Sequence, residues 1–200
     1  MEAVVFDLGN VLLPFNWDIA AEKFAVRTGR SRREVDDYMV TMPFLNALSL
    51  GRMTKEEYFR VVAKDFAYDG SYEEFALIWS DIFTADEEMI ALAAQLKGRL
   101  RSFILSNTSV IHMDFIFSRY PFMNTFDGYI LSHEVGLLKP DRRIYEVTRD
   151  RFGLEPSQSV FIDDILANVE GARGIGIHGI HHRNASSTRE ELTKLGIAGI

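Results

Sequence analysis

The chain of 200 residues is 47% hydrophobic, enough to bury the core of one domain or of an ordinary core with a smaller insert, which excludes a disordered chain. Its formal net charge is −7 with acids and bases interspersed, so no Lys/Arg block follows a nucleic-acid backbone and a small molecule is the expected partner. Cysteine is absent, which removes disulfides, thiolate metal sites and thiol nucleophiles together and suits a reducing compartment.

In chain order, the first element is an apolar run at residues 3–6, closed by Asp7 and read as a strand. Residues 16–83 then show helical period in WDIAAEKFAVRTG, SRREVDDYMV, TKEEYFRVVAKDF and SYEEFALIWSDIF, with no convincing strand. Ser31 with Glu34 and Thr54 with Glu57 have capping-box spacing, which predicts helix starts near Ser31 and Thr54. Residues 86–97 read as a helix returning to the core. Short apolar runs follow at 102–105, 128–131 and 159–162, with a weaker one at 176–180, and helical patterns lie at about 109–119, 141–152, 165–173 and 188–195. This alternation predicts the α/β class, a parallel sheet with helices on both faces, and a helical insert after the first strand. The core is expected at 1–15 and 84–200, and the insert at 16–83. The first residues, MEAVVFDLGN, lack the basic start and long apolar stretch of a signal peptide, and no later run reaches about 18 apolar residues. A cytoplasmic protein with no membrane partner is expected.

Ligands of parallel α/β sheets bind at the carboxyl ends of the strands. The residues just past the runs form a polar set: Asp7, Ser106 with Asn107, Lys139 beyond the third strand, and Asp163 with Asp164. Each alone reads plainly as a turn, cap or loop residue. Together they suit phosphoryl transfer, because a carboxylate attacks phosphorus only where its own charge and that of the phosphate are offset. A divalent cation held by Asp7 with Asp163 or Asp164 does part of this, and an oxygen-only donor set suits Mg²⁺. Lys139 adds a second positive charge, and Ser106 and Asn107 can donate hydrogen bonds to the transferring group.

Four segments, VVFDLGNVL, ILSNT, the lysine of EVGLLKPDRRIY, and VFIDDILANVEGA, stand in order between residues 4 and 172. They resemble the four motifs of the haloacid dehalogenase superfamily. The resemblance implies a Rossmann-like core and assigns roles position by position. Asp7 would be the nucleophile that forms an aspartyl-phosphate and also ligates Mg²⁺, and Gly9 would give its main-chain carbonyl to the metal. Ser106 and Asn107 would bind phosphoryl oxygens, and Lys139 would hold both nucleophile and phosphate. Either Asp163 or Asp164 would be the direct metal ligand, with Asp164 slightly favoured, and Asn168 would support them from behind. Residues 16–83 resemble the helical cap that closes over the pocket and selects the substrate in this superfamily. Within it, MPFLNALSLGRMT at 42–54 either faces the pocket or packs inside the cap.

The departure is at Gly9. Phosphatases of the family commonly carry a second Asp there, which protonates the leaving oxygen, and a glycine moves no proton. Dehalogenases also lack that acid because halide leaves unprotonated, and a catalytically weak member that binds a phosphorylated ligand is a third reading. Paired acids at Asp163 and Asp164 suit a metal, so the phosphatase reading leads. The DLGNVL form resembles bacterial sugar-phosphatases acting on alpha-D-glucose 1-phosphate, whose hemiacetal leaving group makes loss of a general acid less costly. More distantly it resembles the amino-terminal phosphatase domain of soluble epoxide hydrolases. Of the histidines, His112 falls in a helix, His133 beside the third strand's end is a weak candidate for proton transfer, and His178, His181 and His182 read as loop residues near the last strand.

Overall fold

The computed structural model describes residues 1–41 and 44–199. The chain opens with β1 (Ala3–Phe6) and continues through α1 (Trp17–Thr28), α2 (Arg32–Thr41), α3 (Leu45–Ser49), α4 (Lys55–Phe66) and α5 (Tyr72–Ser80). It then alternates through α6 (Glu87–Leu96), β2 (Arg101–Ser106), α7 (Val110–Arg119), β3 (Gly128–Leu131), the single turn α8 (Ser132–Val135), α9 (Arg142–Phe152), β4 (Ser159–Asp163), α10 (Leu166–Arg173), β5 (His178–His181) and α11 (Ala185–Lys194). The strands form one parallel sheet in the order β3-β2-β1-β4-β5, with Val5 of β1 in register with Phe103 of β2 and Phe161 of β4.

Side chains of a strand alternate between its two faces, and both faces here are covered, so the strands read as unbroken apolar runs. Val4, Phe6, Ile104, Val160 and Ile162 pack with Met89 and Leu92 of α6, Ile116 of α7 and Leu192 of α11. On the opposite face Ala3, Val5, Phe103, Leu105 and Phe161 meet Ile144 and Tyr145 of α9 and Ala172 of α10. The connections run outward from β1 in both directions, which opens a crevice beyond the carboxyl ends of β1 and β4.

Helices α1–α5 enclose a second apolar cluster that includes Phe24, Val35, Leu48, Tyr58, Phe75 and Trp79, and Ile111 of α7 joins it. Their starts are the capped ones. The Ser31 hydroxyl accepts from the Glu34 N–H at 3.3 Å while Glu34 Oε2 accepts from the Ser31 N–H at 2.9 Å. Thr54 and Glu57 form the same reciprocal pair, so both helices begin one residue after the expected cap. The chain leaves and re-enters the sheet region through two paired segments. The Asn16 N–H donates to the Ile82 carbonyl at 3.1 Å, the Thr84 N–H donates to the Pro14 carbonyl at 2.8 Å, and Phe15 pairs antiparallel with Phe83. Lys55 of α4 and Asp114 of α7 add an ion pair at 2.6 Å between the helical segment and the sheet layer.

Two boundaries differ from the sequence expectation. The last strand starts at His178 because the Ile177 N–H closes the end of α10 on the Ala172 carbonyl at 3.2 Å and Gly176 turns with φ +90°. The last helix starts at Ala185, earlier than expected, because the Asn184 side chain caps it by accepting from the Ser187 N–H. Among the described residues no helix is long and apolar enough to cross a membrane.

After α3 the chain turns at Gly51, with φ +65°, where an added Cβ would overlap the main-chain carbonyl oxygen of His133 in α8. Gly51→Ala is therefore expected to destabilise by more than about 2 kcal/mol, a fall in melting temperature of roughly 5 °C or more. Gly29→Ala, at φ +67° with no neighbour within 4 Å of the added Cβ, should cost only the backbone strain of about 1 kcal/mol. Equal losses in thermal melts would show that the Gly51–His133 approach gives way freely.

Candidate active site

Asp7 is the first residue past β1, and its N–H donates to the Ile162 carbonyl of β4 at 2.8 Å, so the ladder holds its main chain at the crevice. Lys139 Nζ lies 2.7 Å from Asp7 Oδ1 and 2.7 Å from Asp163 Oδ2, with its side chain only 1% exposed. Carboxylate oxygens of Asp7, Asp163 and Asp164 all fall within 4.8 Å of one another. Burial pushes the Asp7 carboxyl up to about 7; Lys139 opposes this and the Asp163 charge adds to it.

The two adjacent acids have different surroundings. Asp163 is fully buried and accepts from Lys139 Nζ, from the Ile165 N–H at 2.8 Å, and from Asn168 Nδ2 at 3.0 and 3.1 Å. Its acceptor sites are thus engaged within the protein. Asp164 is half-buried, lines the cavity described below, and accepts from Asn10 Nδ2 at 3.2 Å. No sequence pattern marks Asn10. It sits in the left-handed region at φ +53°, which Asn tolerates, and its Oδ1 accepts from the Phe15 N–H at 3.4 Å.

Ser106 ends β2 and is buried facing the same cavity. Asn107 lines the cavity as well, but its side-chain amide is engaged twice by Lys139: Nδ2 donates to the Lys139 carbonyl at 2.9 Å and Oδ1 accepts from the Lys139 N–H at 2.8 Å. The amide therefore anchors the main chain that carries the lysine, ahead of a cis Lys139–Pro140 peptide. Ser132 repeats the device one residue on, its hydroxyl bridging the Thr108 N–H and carbonyl at 2.9 Å each.

The cavity encloses roughly 250 Å³. Asp7, Gly9, Ser106, Asn107, Lys139 and Asp164 form its polar part, and Phe15, Trp17, Ile82, Phe83, His112 and Ile116 its apolar part. Leu45 and Ser49 of α3 also line it, so the 42–54 stretch does face the pocket there, while Met42 and Pro43 lie outside the described residues. An added Cβ at Gly9 would stand 2.9 Å from Phe15 Cε1, so the Phe15 ring would have to shift to admit a side chain at position 9.

His112 contributes to the apolar part rather than to the charged one. Burial pushes its imidazole down to about 4, a hydrogen bond to the Trp79 main chain opposing this, and it stands neutral at physiological pH. His133 does not line the cavity; it is half-buried and packs near Gly51. His182 is engaged by the Thr188 hydroxyl at 2.8 Å and His181 by the Asp164 carbonyl at 2.9 Å. No sequence signal joins Phe15, Trp17, Phe83 and His112, because separations of up to 97 positions close only when the 14–16 and 82–84 segments pair and α7 docks behind them.

The family model for haloacid dehalogenase-like hydrolases matches residues 1–176. Among curated proteins the chain is 29% identical over 212 residues to acyl-CoA dehydrogenase family member 10 of Mus musculus, covering 96% of this chain and spanning only 19% of the mouse protein's length. It is 24% identical over 199 residues to D-ribitol-5-phosphate phosphatase of Bacteroides thetaiotaomicron, covering 95% of this chain and 96% of that one. A solved HAD family enzyme from Bacteroides thetaiotaomicron, in complex with magnesium and inorganic phosphate, shares the fold. Its TM-score is 0.83 at 20% identity, covering 92% of this chain and 94% of the other. The matched span runs from the strand that presents Asp7, through Ser106 and Lys139, to the helix behind Asp163, and on that match the chain belongs to the haloacid dehalogenase-like hydrolases.

Proposed function

We propose that this hydrolase is a Mg²⁺-dependent phosphatase that removes phosphate from a small phosphorylated metabolite through an aspartyl-phosphate on Asp7. The observation that carries the reading is Lys139, buried and bridging Asp7 and Asp163 at 2.7 Å each, while Asp164 stays open to the cavity. Support also comes from the relative named for a sugar-alcohol phosphate and from the neighbouring structure that holds magnesium and phosphate.

The donor set fits a hard cation: three carboxylates, no thiol anywhere in the chain, and no histidine within the acidic cluster. Asp7, Asp164 and the Gly9 carbonyl would hold Mg²⁺, with Asp163 behind them as the counter-ion of Lys139. The bound ion supplies charge neutralisation at the phosphoryl oxygens. Lys139 orients Asp7 and offsets the charge of the incoming phosphate, and the Ser106 hydroxyl and the main chain of Asn107 hold the transferring group. An Asp7 oxygen attacks phosphorus as the bond to the leaving oxygen breaks. Water then attacks the same phosphorus, releasing inorganic phosphate and restoring the carboxylate. Residues 1–15 and 84–200 act as the catalytic core, and 16–83 as the cap that excludes bulk water and bounds the substrate. With glycine at position 9 the leaving oxygen departs as its anion, which favours leaving groups more acidic than an ordinary alcohol.

Phosphate release from 4-nitrophenyl phosphate, with Mg²⁺ and with a chelator, tests the reading. Turnover that requires the metal is expected. Halide release from a 2-haloacid without metal, and none from phosphate esters, would replace it with dehalogenation.

A further inference from the structure

The apolar part of the cavity is a closed circuit of four rings. Phe15 and Trp17 stand 6.3 Å apart, Trp17 and His112 5.4 Å, His112 and Phe83 5.3 Å, and Phe83 and Phe15 5.9 Å, three of the four pairs edge to face. Ile82 and Ile116 line the cavity beside them. Such a wall receives flat or apolar surface, and His112 Nε2 is the buried nitrogen within it that has no hydrogen-bond partner.

Four of the polar side chains that share the cavity are committed elsewhere, whereas the hydroxyls of Ser49, Ser106 and Thr108 also line it. The Asn10 amide bonds Asp164 and the Phe15 main chain, the Asn107 amide bonds the Lys139 main chain, Asn168 bonds Asp163, and the Ser109 hydroxyl caps α7 by accepting from the His112 N–H at 3.4 Å. A leaving group rich in hydroxyls would strip its own hydration against the four rings and recover hydrogen bonds there only at His112 Nε2 and the few hydroxyls beside them. The charged side chains that line the cavity are Asp7, Lys139 and Asp164, so a second anionic group on the substrate also has no cation to meet.

Phe15 does a second thing. Its ring edge stands 2.9 Å from the Cβ that a side chain at Gly9 would add, so the same residue that builds the aromatic wall would have to shift to admit a carboxylic acid there. A site that offers a ring in place of a proton donor suits a leaving group that is itself flat and whose oxygen is acidic enough to depart unprotonated. We infer that the substrates are small monophosphate esters of phenol-type hydroxyls, seated with the aryl ring against Phe15, Trp17 and Phe83 and the phosphate at Asp7. This rests on the phosphatase reading and narrows it. An Asp7 oxygen bonds to phosphorus, the P–O(aryl) bond breaks, and the electron pair leaves on the aryloxide, which takes its proton from water after release. Water then hydrolyses the aspartyl-phosphate, so no oxidant or further reactant is needed.

The experiment compares kcat/KM, with Mg²⁺, for 4-nitrophenyl, phenyl and 4-methoxyphenyl phosphate, cyclohexyl phosphate and a hexose 1-phosphate. Aryl esters should exceed the last two by at least tenfold, and kcat/KM should fall steadily as the phenol becomes less acidic. Phe15→Ala and Phe15→Leu should raise KM for phenyl phosphate about tenfold while the inhibition constant of inorganic phosphate stays within twofold. Gly9→Asp alone should leave cyclohexyl phosphate a poor substrate, and Gly9→Asp with Phe15→Ala should improve it. Trp17 provides a binding readout: phenyl phosphate should change the intrinsic fluorescence at concentrations where the hexose 1-phosphate does not. Cyclohexyl phosphate or the hexose 1-phosphate turned over as well as phenyl phosphate, or an unchanged KM in both Phe15 variants, overturns the inference and leaves the phosphatase reading standing. No turnover of any ester, 4-nitrophenyl phosphate included, overturns both.

Discussion

Asp7→Asn is expected to abolish turnover while making the metal-free protein more heat-stable at alkaline pH. An amide is no nucleophile, so the loss should reach about 10⁴-fold or more, the scale seen when a covalent catalyst is removed. The stability effect follows from burial. Desolvation, only partly offset by Lys139 and increased by Asp163, raises the Asp7 carboxyl from 3.8 to about 7. A raised carboxyl means that the native state binds a proton the unfolded chain has already released. Its contribution to stability is present below the unfolded value and is lost as pH rises through the folded one. At pH 8 in chelator the wild type carries this unfavourable buried charge and the variant does not, so the variant should melt higher by roughly 5 °C. At pH 5 the folded wild type holds Asp7 protonated, and the gap should shrink. Paired melting curves at the two pH values check this. A gap of the same size at both would mean that the Asp7 carboxylate is not strained by its surroundings.

The second large effect is expected at Lys139. Its ammonium is the counter-charge of two buried carboxylates at 2.7 Å each, and it also lies 5.4 Å from the centre of the Phe161 ring. Lys139→Met keeps the stem and deletes the charge, leaving Asp7 and Asp163 facing each other without compensation. Breaking a buried pair from one side costs about 3–5 kcal/mol, because the abandoned ion stays desolvated. The variant should therefore fold poorly near neutral pH and lose turnover. The direction with pH again identifies the cause. Without the ammonium the buried Asp7 carboxyl, already raised by desolvation and by the Asp163 charge, loses the group that opposed this, so the variant should gain stability as pH falls from 8 towards 5. Adding Asp163→Asn should recover part of the loss at neutral pH, since it removes one of the stranded charges. Denaturant melts of the single and double variants give the coupling directly, and strict additivity would show that Lys139 and Asp163 do not act as a pair.

Much of this site was legible because buried parallel strands are short apolar runs, and a polar residue that breaks such a run marks the strand's carboxyl end. That logic found Asp7 after β1, Ser106 and Asn107 at the end of β2, and Asp163 with Asp164 at the end of β4. Lys139 lies eight residues past β3, and its placement came from motif order rather than from adjacency to a strand. What the residues of one segment could not express was which partner each side chain takes. Asn107 looked like a donor to a phosphate oxygen, yet its amide anchors the Lys139 main chain. The adjacent acids looked alike, yet alternation along the chain turns Asp163 inward to Lys139 and Asn168 and leaves Asp164 at the cavity. Of the histidines, nearness to a strand end points to His133, while the one facing the pocket is His112, set in a helix.

The parallel sheet, the capped helices between β1 and α6, and the carboxyl-edge acids are local patterns of period two, period 3.6 or hydrogen-bonding caps, so each is written in a short stretch of the chain. What stands over Gly9 is a matter of packing. A glycine there is one missing side chain in the sequence. In the folded protein it is the floor beneath Phe15, and that ring belongs to a wall assembled from residues 15, 17, 83 and 112. Contacts between residues so far apart arise from how the helical segment and α7 dock, a packing outcome that no single window of the chain encodes.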